Sequence, residues 1–190
     1  QEWQYHMLLG TEVHGSTLGI LGMGRIGQAI ARRAAKGFGM RVLYHNRSRL
    51  PAEVEQAVGA RYAGFDELLG SVDHLLLALP YTAQNHHVID AVALAKMKPG
   101  AILLNTARGA LVDEEAVAAA LHSGQLGFYG ADAFVTEPLP QESPLRAEPH
   151  AILTPHIAWT TREALQNLMD ITTRNLRTWL EGNGEHIVNR

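Results

Sequence analysis

Short apolar runs alternate with longer stretches of helical spacing along nearly the whole chain. The spacing predicts strands over 17–21 (TLGIL), 41–45 (RVLYH), 74–79 (HLLLAL), 101–105 (AILLN), 126–134 and 151–154, with Arg61 and Tyr62 marking a further short one. HLLLAL and AILLN are near-continuous apolar runs, which suit parallel strands covered on both faces. A helix is predicted over 25–37, where Ile26, Ala29, Ile30, Arg33, Ala34 and Gly37 recur at i, i+3, i+4 and i+7. Others are predicted from Asp66, read as an N-cap, over 88–95, and over 113–122 behind Asp113 as N-cap. A closing helix over 161–181 carries Ala164, Leu165, Leu168, Ile171, Leu176 and Leu180 as its apolar stripe, with Gly182 as its stop. Pro138, Pro140, Pro144 and Pro149 mark an ordered loop. Strand and helix in alternation predict a doubly wound, mostly parallel α/β sheet, with no internal repeat and no linker inside 15–182.

Composition narrows the classes. The chain has 190 residues, 46% hydrophobic and 18% charged, enough for one ordinary domain and too apolar for a disordered chain. A net charge of −3 argues against a nucleic-acid surface, while a local basic cluster can still hold one phosphate. No apolar run approaches the roughly 20 residues of a membrane helix, so no membrane partner is expected. The absence of cysteine excludes thiolate catalysis, zinc–cysteine sites and disulfides. It fits a reducing compartment, and the cytoplasm is the expected location. Ten histidines are scattered, with one adjacent pair (His86, His87) and no H-E-x-x-H helix, so no metal site is expected.

Gly22, Gly24 and Gly27 form G-x-G-x-x-G between the first predicted strand and the first predicted helix. In that context the pattern reads as a dinucleotide-binding turn. Gly22 permits the tight turn, Gly24 lets the backbone approach a pyrophosphate, and Gly27 lets the helix pack on the strand. The helix N-terminus offers N–H groups and partial positive charge to the phosphates, and Arg25 adds a full charge. Residues 15–160 therefore read as a dinucleotide-binding Rossmann domain, 161–190 as a closing helix and tail, and 1–14 as an N-terminal arm or remnant of an interdomain helix. The bland alternative for the loop is a tight turn without a ligand. The end of the second strand selects the cofactor. Asn46 stands 19 positions after Gly27, where an NAD site usually places an acid, and no carboxylate follows until Glu53. Arg47, Ser48 and Arg49 offer two guanidinium groups and a hydroxyl, a set that suits a 2′-phosphate. NADP(H) is expected, with NAD(H) as the alternative, against the bland reading of a solvated basic turn.

Three further polar residues follow the later strands, at the edge where open α/β sheets bind ligands. Arg108 follows AILLNTA, Glu137 follows GADAFVT, and His156 follows AILTP. Arg108 has the planar fork that holds a carboxylate. His156 can carry a proton near neutral pH, and a carboxylate such as Glu137 beside it favours the imidazolium. Singly, each is more often structural or solvated. Their joint placement after a dinucleotide loop makes them candidate catalytic groups.

Residues 10–190 resemble the cofactor-binding domain of the D-isomer-specific 2-hydroxyacid dehydrogenases. The resemblance rests on GILGMGRIGQAIA, LALPYTAQN, MKPGAILLNTARGALVDE, GADAFVTEPLP and TPHIAW, in that order. It implies that Arg108 binds substrate, Glu137 is the orienting carboxylate and His156 the acid/base. It also implies that Met23, Arg25 and Ile26 sit in the pyrophosphate turn. Pro80, Thr106, Ala107, Asp132 and Ala158 match positions around the nicotinamide and its ribose. The implied reaction is reversible reduction of a small 2-keto acid to the D-2-hydroxy acid. Glu137 sets the chain apart from the similar formate dehydrogenases, which normally carry glutamine there. The NRSR turn resembles NADPH-preferring glyoxylate and hydroxypyruvate reductases more than NAD-linked phosphoglycerate dehydrogenases. Complete members carry roughly 100 further residues before this point, forming most of a substrate domain. The chain, beginning at Gln1, therefore reads as a cofactor domain with most of that lobe absent, expected to bind NADP(H) and to turn over poorly or not at all. A nucleotide-sensing interaction module like the dehydrogenase-like corepressors is the alternative, and an inert Rossmann domain the bland one. Relatives commonly dimerise through this domain, so a homodimer is expected, with Trp3, Tyr5, Met7, Leu8 and Leu9 as an apolar arm or, alternatively, a frayed end.

Overall fold

The computed structural model describes residues 10–183; the proposed arm at Trp3, Tyr5, Met7, Leu8 and Leu9 lies outside them. The chain divides into two compact units, Gln1–Pro155 and His156–Arg190.

The first unit is built on a seven-stranded sheet. Its strands are β1 (Thr17–Leu21), β2 (Arg41–His45), β3 (Ala60–Tyr62), β4 (His74–Leu77), β5 (Ala101–Asn105), β6 (Leu126–Ala131) and β7 (Ala151–Leu153). Their order is β3-β2-β1-β4-β5-β6-β7 and every pairing is parallel. The order reverses between β1 and β4, the switch point beside which open sheets leave a crevice. The register brings the strand ends level: His45 pairs Leu21, Leu21 pairs Leu77, Leu77 pairs Asn105, Asn105 pairs Ala131, and Ala131 pairs Leu153. Asn46, Gly22, Ala78, Thr106, Asp132 and Thr154 therefore leave the sheet along one edge.

Alternation along the strands supplies both faces. On β4, Leu75 and Leu77 join a cluster with Leu68, Leu103, Val117, Leu121 and Tyr129, whereas Leu76 joins one with Leu18, Ile20, Ala31, Val42 and Tyr44. Each fully buried leucine contributes about 1.5–3 kcal/mol through removal from water. Helix α1 (Arg25–Phe38) buries Gly27, Ala31 and Ala34; of the stripe that the spacing predicts, Ala34 is buried and Ile30 packs on the core, whereas Ile26 and Arg33 are exposed. The small side chains let the helix press onto the sheet. A Cβ on Gly27 would lie 2.3 Å from the carbonyl oxygen of Gly22.

Helix α2 (Ala52–Val58) has no counterpart in the sequence pattern, because it buries a charged residue, Glu55, beside Val58. Helix α3 (Phe65–Ser71) starts behind Gly64, so Asp66 lies in its first turn rather than at its cap, and forms an exposed ion pair with Lys96 at 2.7 Å. Helix α4 (Ala91–Lys96) starts later than expected, behind Asp90, which accepts the Ala93 N–H at 2.8 Å. The preceding residues pair with another loop instead: Ile89 bridges Val112. Helix α5 (Glu114–Ser123) has Asp113 as its N-cap, as the sequence predicts. The loop after β6 contains a short 3₁₀ turn, Pro144–Ala147, anchored by the fully buried Leu145. In the second unit, α6 (Arg162–Leu180) is capped by the Thr161 hydroxyl, which accepts the Ala164 N–H. No helix among the described residues is long and apolar enough to cross a membrane.

Three bonds explain the buried charge in α2. Glu55 accepts the Tyr44 hydroxyl at 2.8 Å and the Arg49 guanidinium through Nε at 2.9 Å and Nη2 at 2.8 Å. The hydrogen bonds from Arg49, then Tyr44, hold its carboxyl at about 2, below the ordinary 4.5. A lowered folded-state value contributes stability above the unfolded value, and that contribution is lost as pH falls from 4.5 towards 2. Acid titration of thermal stability is expected to fall more steeply through this window for the wild type than for Glu55→Gln. Parallel curves would contradict the assignment.

Candidate functional site

At the switch point the sequence leaves β1 through glycine. Gly22 has φ +101°, and a Cβ there would meet the Ala78 carbonyl oxygen at 2.6 Å, so both backbone and space require glycine. Gly24 is different. Its φ is −77°, and nothing lies within 4 Å of the position a Cβ would take. The protein's own packing does not explain a missing side chain there, whereas room for a ligand does. Gly24 is also the N-cap of α1, which has no side-chain cap and no acid in its first turn. The exposed N–H groups of a 14-residue helix thus open onto free space, with Arg25 beside them.

That space is a cleft of about 770 Å³. Gly24, Arg25 and Ile26 line one side, Ala78 to Tyr81 the rim after β4, and Thr106 to Ala110 with Phe134 and Val135 the other side. Of the proposed cofactor residues, the structure brings Gly24, Arg25, Ile26, Pro80, Thr106 and Ala107 together here with Arg108. Ile26 is 69% exposed, an apolar side chain facing the cleft instead of the core. The Met23 side chain is buried, and its N–H donates to Asn46 Oδ1 at 2.7 Å. Asn46 thereby ties the end of β2 to the glycine turn. The Met23 N–H is taken by this bond, while the Asn46 side-chain NH2 group stands outside it.

Arg108 projects from a braced loop. Asn105, fully buried at the end of β5, accepts the Ala107 N–H through Oδ1 at 3.1 Å and donates Nδ2 to the Arg108 carbonyl at 2.9 Å. The exposed Arg108 guanidinium donates Nη1 to the Ala107 carbonyl at 2.7 Å. Next to it, a Cβ on Gly109 would lie 1.9 Å from the Phe134 carbonyl carbon, so the loops after β5 and β6 touch backbone to backbone. Two carboxylates secure the second loop: Glu137 accepts the Phe134 N–H at 3.0 Å and Glu114 accepts the Val135 N–H at 2.9 Å. The Glu137–Pro138 bond is cis. Asp132 is buried at the end of β6, where it accepts the Thr154 hydroxyl at 2.6 Å, and it is not among the cleft-lining residues. His156 and Ala158 belong to the second unit. His156 has φ +55°, an uncommon conformation for a residue with a side chain and one that clusters at functional positions.

Sequence reasoning missed Asn105, Gly109, Glu114 and Tyr81. A buried asparagine ending an apolar strand is the signal that could have found the first. Asn105→Ala leaves the Ala107 N–H and Arg108 carbonyl without their partner, at about 1–3 kcal/mol. Thermal melting is expected to fall by about 2–12 °C; an unchanged midpoint would contradict the brace.

Arg47, Ser48 and Arg49 lie on the turn after β2, outside the cleft-lining set. Arg49 is committed to Glu55, so the sequence expectation of two equally available guanidinium groups is corrected: among the described residues Arg47 keeps its donors, and Arg49 retains only part of its own. Arg47 and Ser48 are exposed.

Comparison with known proteins agrees with this geometry. A family described as D-isomer specific 2-hydroxyacid dehydrogenase, NAD binding domain, matches residues 1–158. A glyoxylate/hydroxypyruvate reductase B from Pectobacterium atrosepticum is 49% identical over 173 residues, covering 91% of this chain and 54% of that protein. The crystal structure of the TT0316 protein from Thermus thermophilus superposes with a TM-score of 0.89 at 43% identity, over 97% of this chain and 57% of the other. A glyoxylate reductase from Paecilomyes thermophila superposes with a TM-score of 0.81 at 46% identity, over 90% and 51%. The chain spans about half the length of the curated relatives it matches.

Proposed function

The chain belongs to the D-isomer specific 2-hydroxyacid dehydrogenase family, and from that premise we propose that it is the cofactor-binding and catalytic portion of an NADP(H)-linked reductase of small 2-keto acids. The observation that carries this reading is one cleft lined both by the bare α1 N-terminus and by Arg108. The residues fit a dinucleotide: Gly24 leaves room for a pyrophosphate, and Arg25 and the α1 N–H groups offer positive charge. A bound nicotinamide supplies the hydride that reduces the keto carbon.

The remaining work falls to the chain's own side chains. Arg108 grips the substrate carboxylate and polarises the neighbouring carbonyl through its planar fork. The apolar rim at Ala78, Leu79 and Phe134 excludes water from the reacting carbon. His156 delivers the proton to the developing alkoxide, and Glu137 keeps the role of orienting carboxylate. Asp132 and Ala158 complete the surroundings of the nicotinamide and its ribose. Glyoxylate- and hydroxypyruvate-like acids are the proposed substrates, in keeping with the relatives' names. NADP(H) is the proposed cofactor, because residues 46–52 contain no carboxylate and the nearby Glu55 is already paired. A homodimer in the cytoplasm completes the proposal.

The test follows NADPH oxidation by absorbance with glyoxylate and hydroxypyruvate. Turnover that yields the D-2-hydroxy acid is expected from a form extended to the length of the relatives, to which the test is applied, and little or none from this chain alone. No turnover with any small 2-keto acid, together with nucleotide-dependent association, favours a nucleotide-sensing module instead.

A further inference from the structure

The chain's charge is divided unevenly along its length. The 40 residues 13–52 contain seven lysines and arginines and no aspartate or glutamate. The rest of the chain holds the other nine cations and all 19 acids, so a net +7 stands against a net −10. Four of the seven, Arg25, Arg32, Arg33 and Lys36, lie on α1 and are exposed. The helix turns Gly27, Ala31 and Ala34 to the sheet, which leaves these four on its outer surface. Arg32 and Lys36 follow Arg25 by 7 and 11 residues, close to two and three whole turns. The three therefore stand in one line along the helix, about 16 Å from end to end. Arg25, at the head of the line, borders the cleft.

These charges are uncompensated. Among the described residues none of the four takes part in an ion pair. Arg33 donates Nη1 to the Ala29 carbonyl at 2.8 Å, a bond that leaves its charge uncancelled. Helix stability does not explain the arrangement. The N-terminal end of a helix dipole favours acids, yet the first turn has none and carries Arg25. Lys36 is three residues from Arg33 and four from Arg32, spacings at which like charges repel. An anion nearing the cleft is attracted by all four.

Resting on the dinucleotide reading above, we propose that the outer face of α1 is a steering surface that draws an anionic dinucleotide towards the cleft before contact is made. Arg32, Arg33 and Lys36 are not among the cleft-lining residues, so they act on the approach and not on the bound complex. A dinucleotide responds more strongly than a small keto acid because it carries more negative charge. The acids elsewhere in the chain add to the bias by repelling the same anion from other surfaces. At about 0.01 M salt the field of a charge extends roughly 30 Å, so the whole line is felt at the cleft; at about 1 M it extends roughly 3 Å and the line is silent.

Stopped-flow fluorescence of this chain with NADPH reads association and dissociation rates separately. At about 0.01 M salt, Arg32→Gln/Arg33→Gln/Lys36→Gln is expected to associate about 5- to 20-fold more slowly than the wild type, with dissociation within about two-fold. At about 1 M salt the two association rates are expected to agree within about 1.5-fold. The charge-retaining variant Arg32→Lys/Arg33→Lys/Lys36→Arg is expected to associate like the wild type. Both variants are expected to melt within about 4 °C of it. An unchanged association rate in the glutamine variant at low salt, or a loss confined to the dissociation rate, overturns the steering surface and leaves the cleft's assignment standing. A charge-retaining variant as slow as the glutamine one does the same. A wild-type chain that binds no NADPH overturns the dinucleotide reading, and the steering surface with it.

Discussion

Replacing His156 by Asn is expected to lower kcat for keto-acid reduction by about 10²–10⁴-fold, the usual contribution of a positioned general acid. NADPH affinity should stay within about two-fold, because the substitution removes a proton carrier and no phosphate contact. Asn is the suitable replacement. At φ +55° most side chains strain the backbone, whereas asparagine tolerates the left-handed region. Loss of activity can then be assigned to the missing imidazole and not to a distorted turn. Arg108→Gln makes a contrasting pair. It removes charge-assisted hydrogen bonds to the substrate, so kcat/KM is expected to fall by about 10- to 100-fold, with a raised KM for the keto acid. Steady-state kinetics of both variants, in a form of the protein that turns over glyoxylate or hydroxypyruvate, check this split. A His156→Asn variant that retains wild-type kcat would remove His156 from the chemistry.

The second large effect concerns Gly24. Because nothing stands within 4 Å of its would-be Cβ and its φ suits any residue, Gly24→Val is expected to fold normally. Its melting temperature should fall by no more than about 4 °C, the cost of a poorer residue at the N-cap. The valine side chain nevertheless enters the space between the α1 N-terminus and a pyrophosphate. Dinucleotide affinity is expected to fall by about 100-fold or more, as several charge-assisted N–H contacts are lost together. Few substitutions separate stability from binding so cleanly. At Gly22 or Gly27 the added Cβ meets backbone, and a loss of binding could reflect the fold. Calorimetry beside a thermal melt reads both quantities. A valine variant that binds NADPH like the wild type would mean that no pyrophosphate lies against this turn.

Where the chain is legible, one rule decides it. β4 and β5 carry apolar side chains on both faces, buried on one and, for Ile102 and Leu104 of β5, half-buried on the other, so apolar content alone marks them. The same rule overruns at the strand ends. Ala78, Leu79 and Phe134 are apolar yet outside β4 and β6, since they line the cleft. Ile26 misleads the pattern of α1 for the same reason: a cleft-facing isoleucine counts as core in the periodicity. Helix α2 escapes because its buried face includes Glu55, whose partners Tyr44 and Arg49 lie 11 and 6 residues away. Burial of a carboxylate is a tertiary property that no local period carries. Within the site, the glycines and Arg108 are legible through spacing and context. The braces Asn105 and Glu114 are not, since each acts by holding the backbone of another segment. The basic turn is legible as a charge cluster, but the unequal standing of its two arginines depends on an ion pair that only the fold makes.

Titration of the wild-type chain with NADPH and NADH, followed by tryptophan fluorescence and calorimetry, bears most directly on the claim that the cleft at the β1–β4 switch point holds a nicotinamide dinucleotide. The expected result is one site per chain, with NADPH bound at least about ten-fold more tightly than NADH, a difference of about 1.4 kcal/mol. Failure of both nucleotides to bind at millimolar concentration would contradict the cleft's assignment, and tighter binding of NADH would contradict the choice of cofactor.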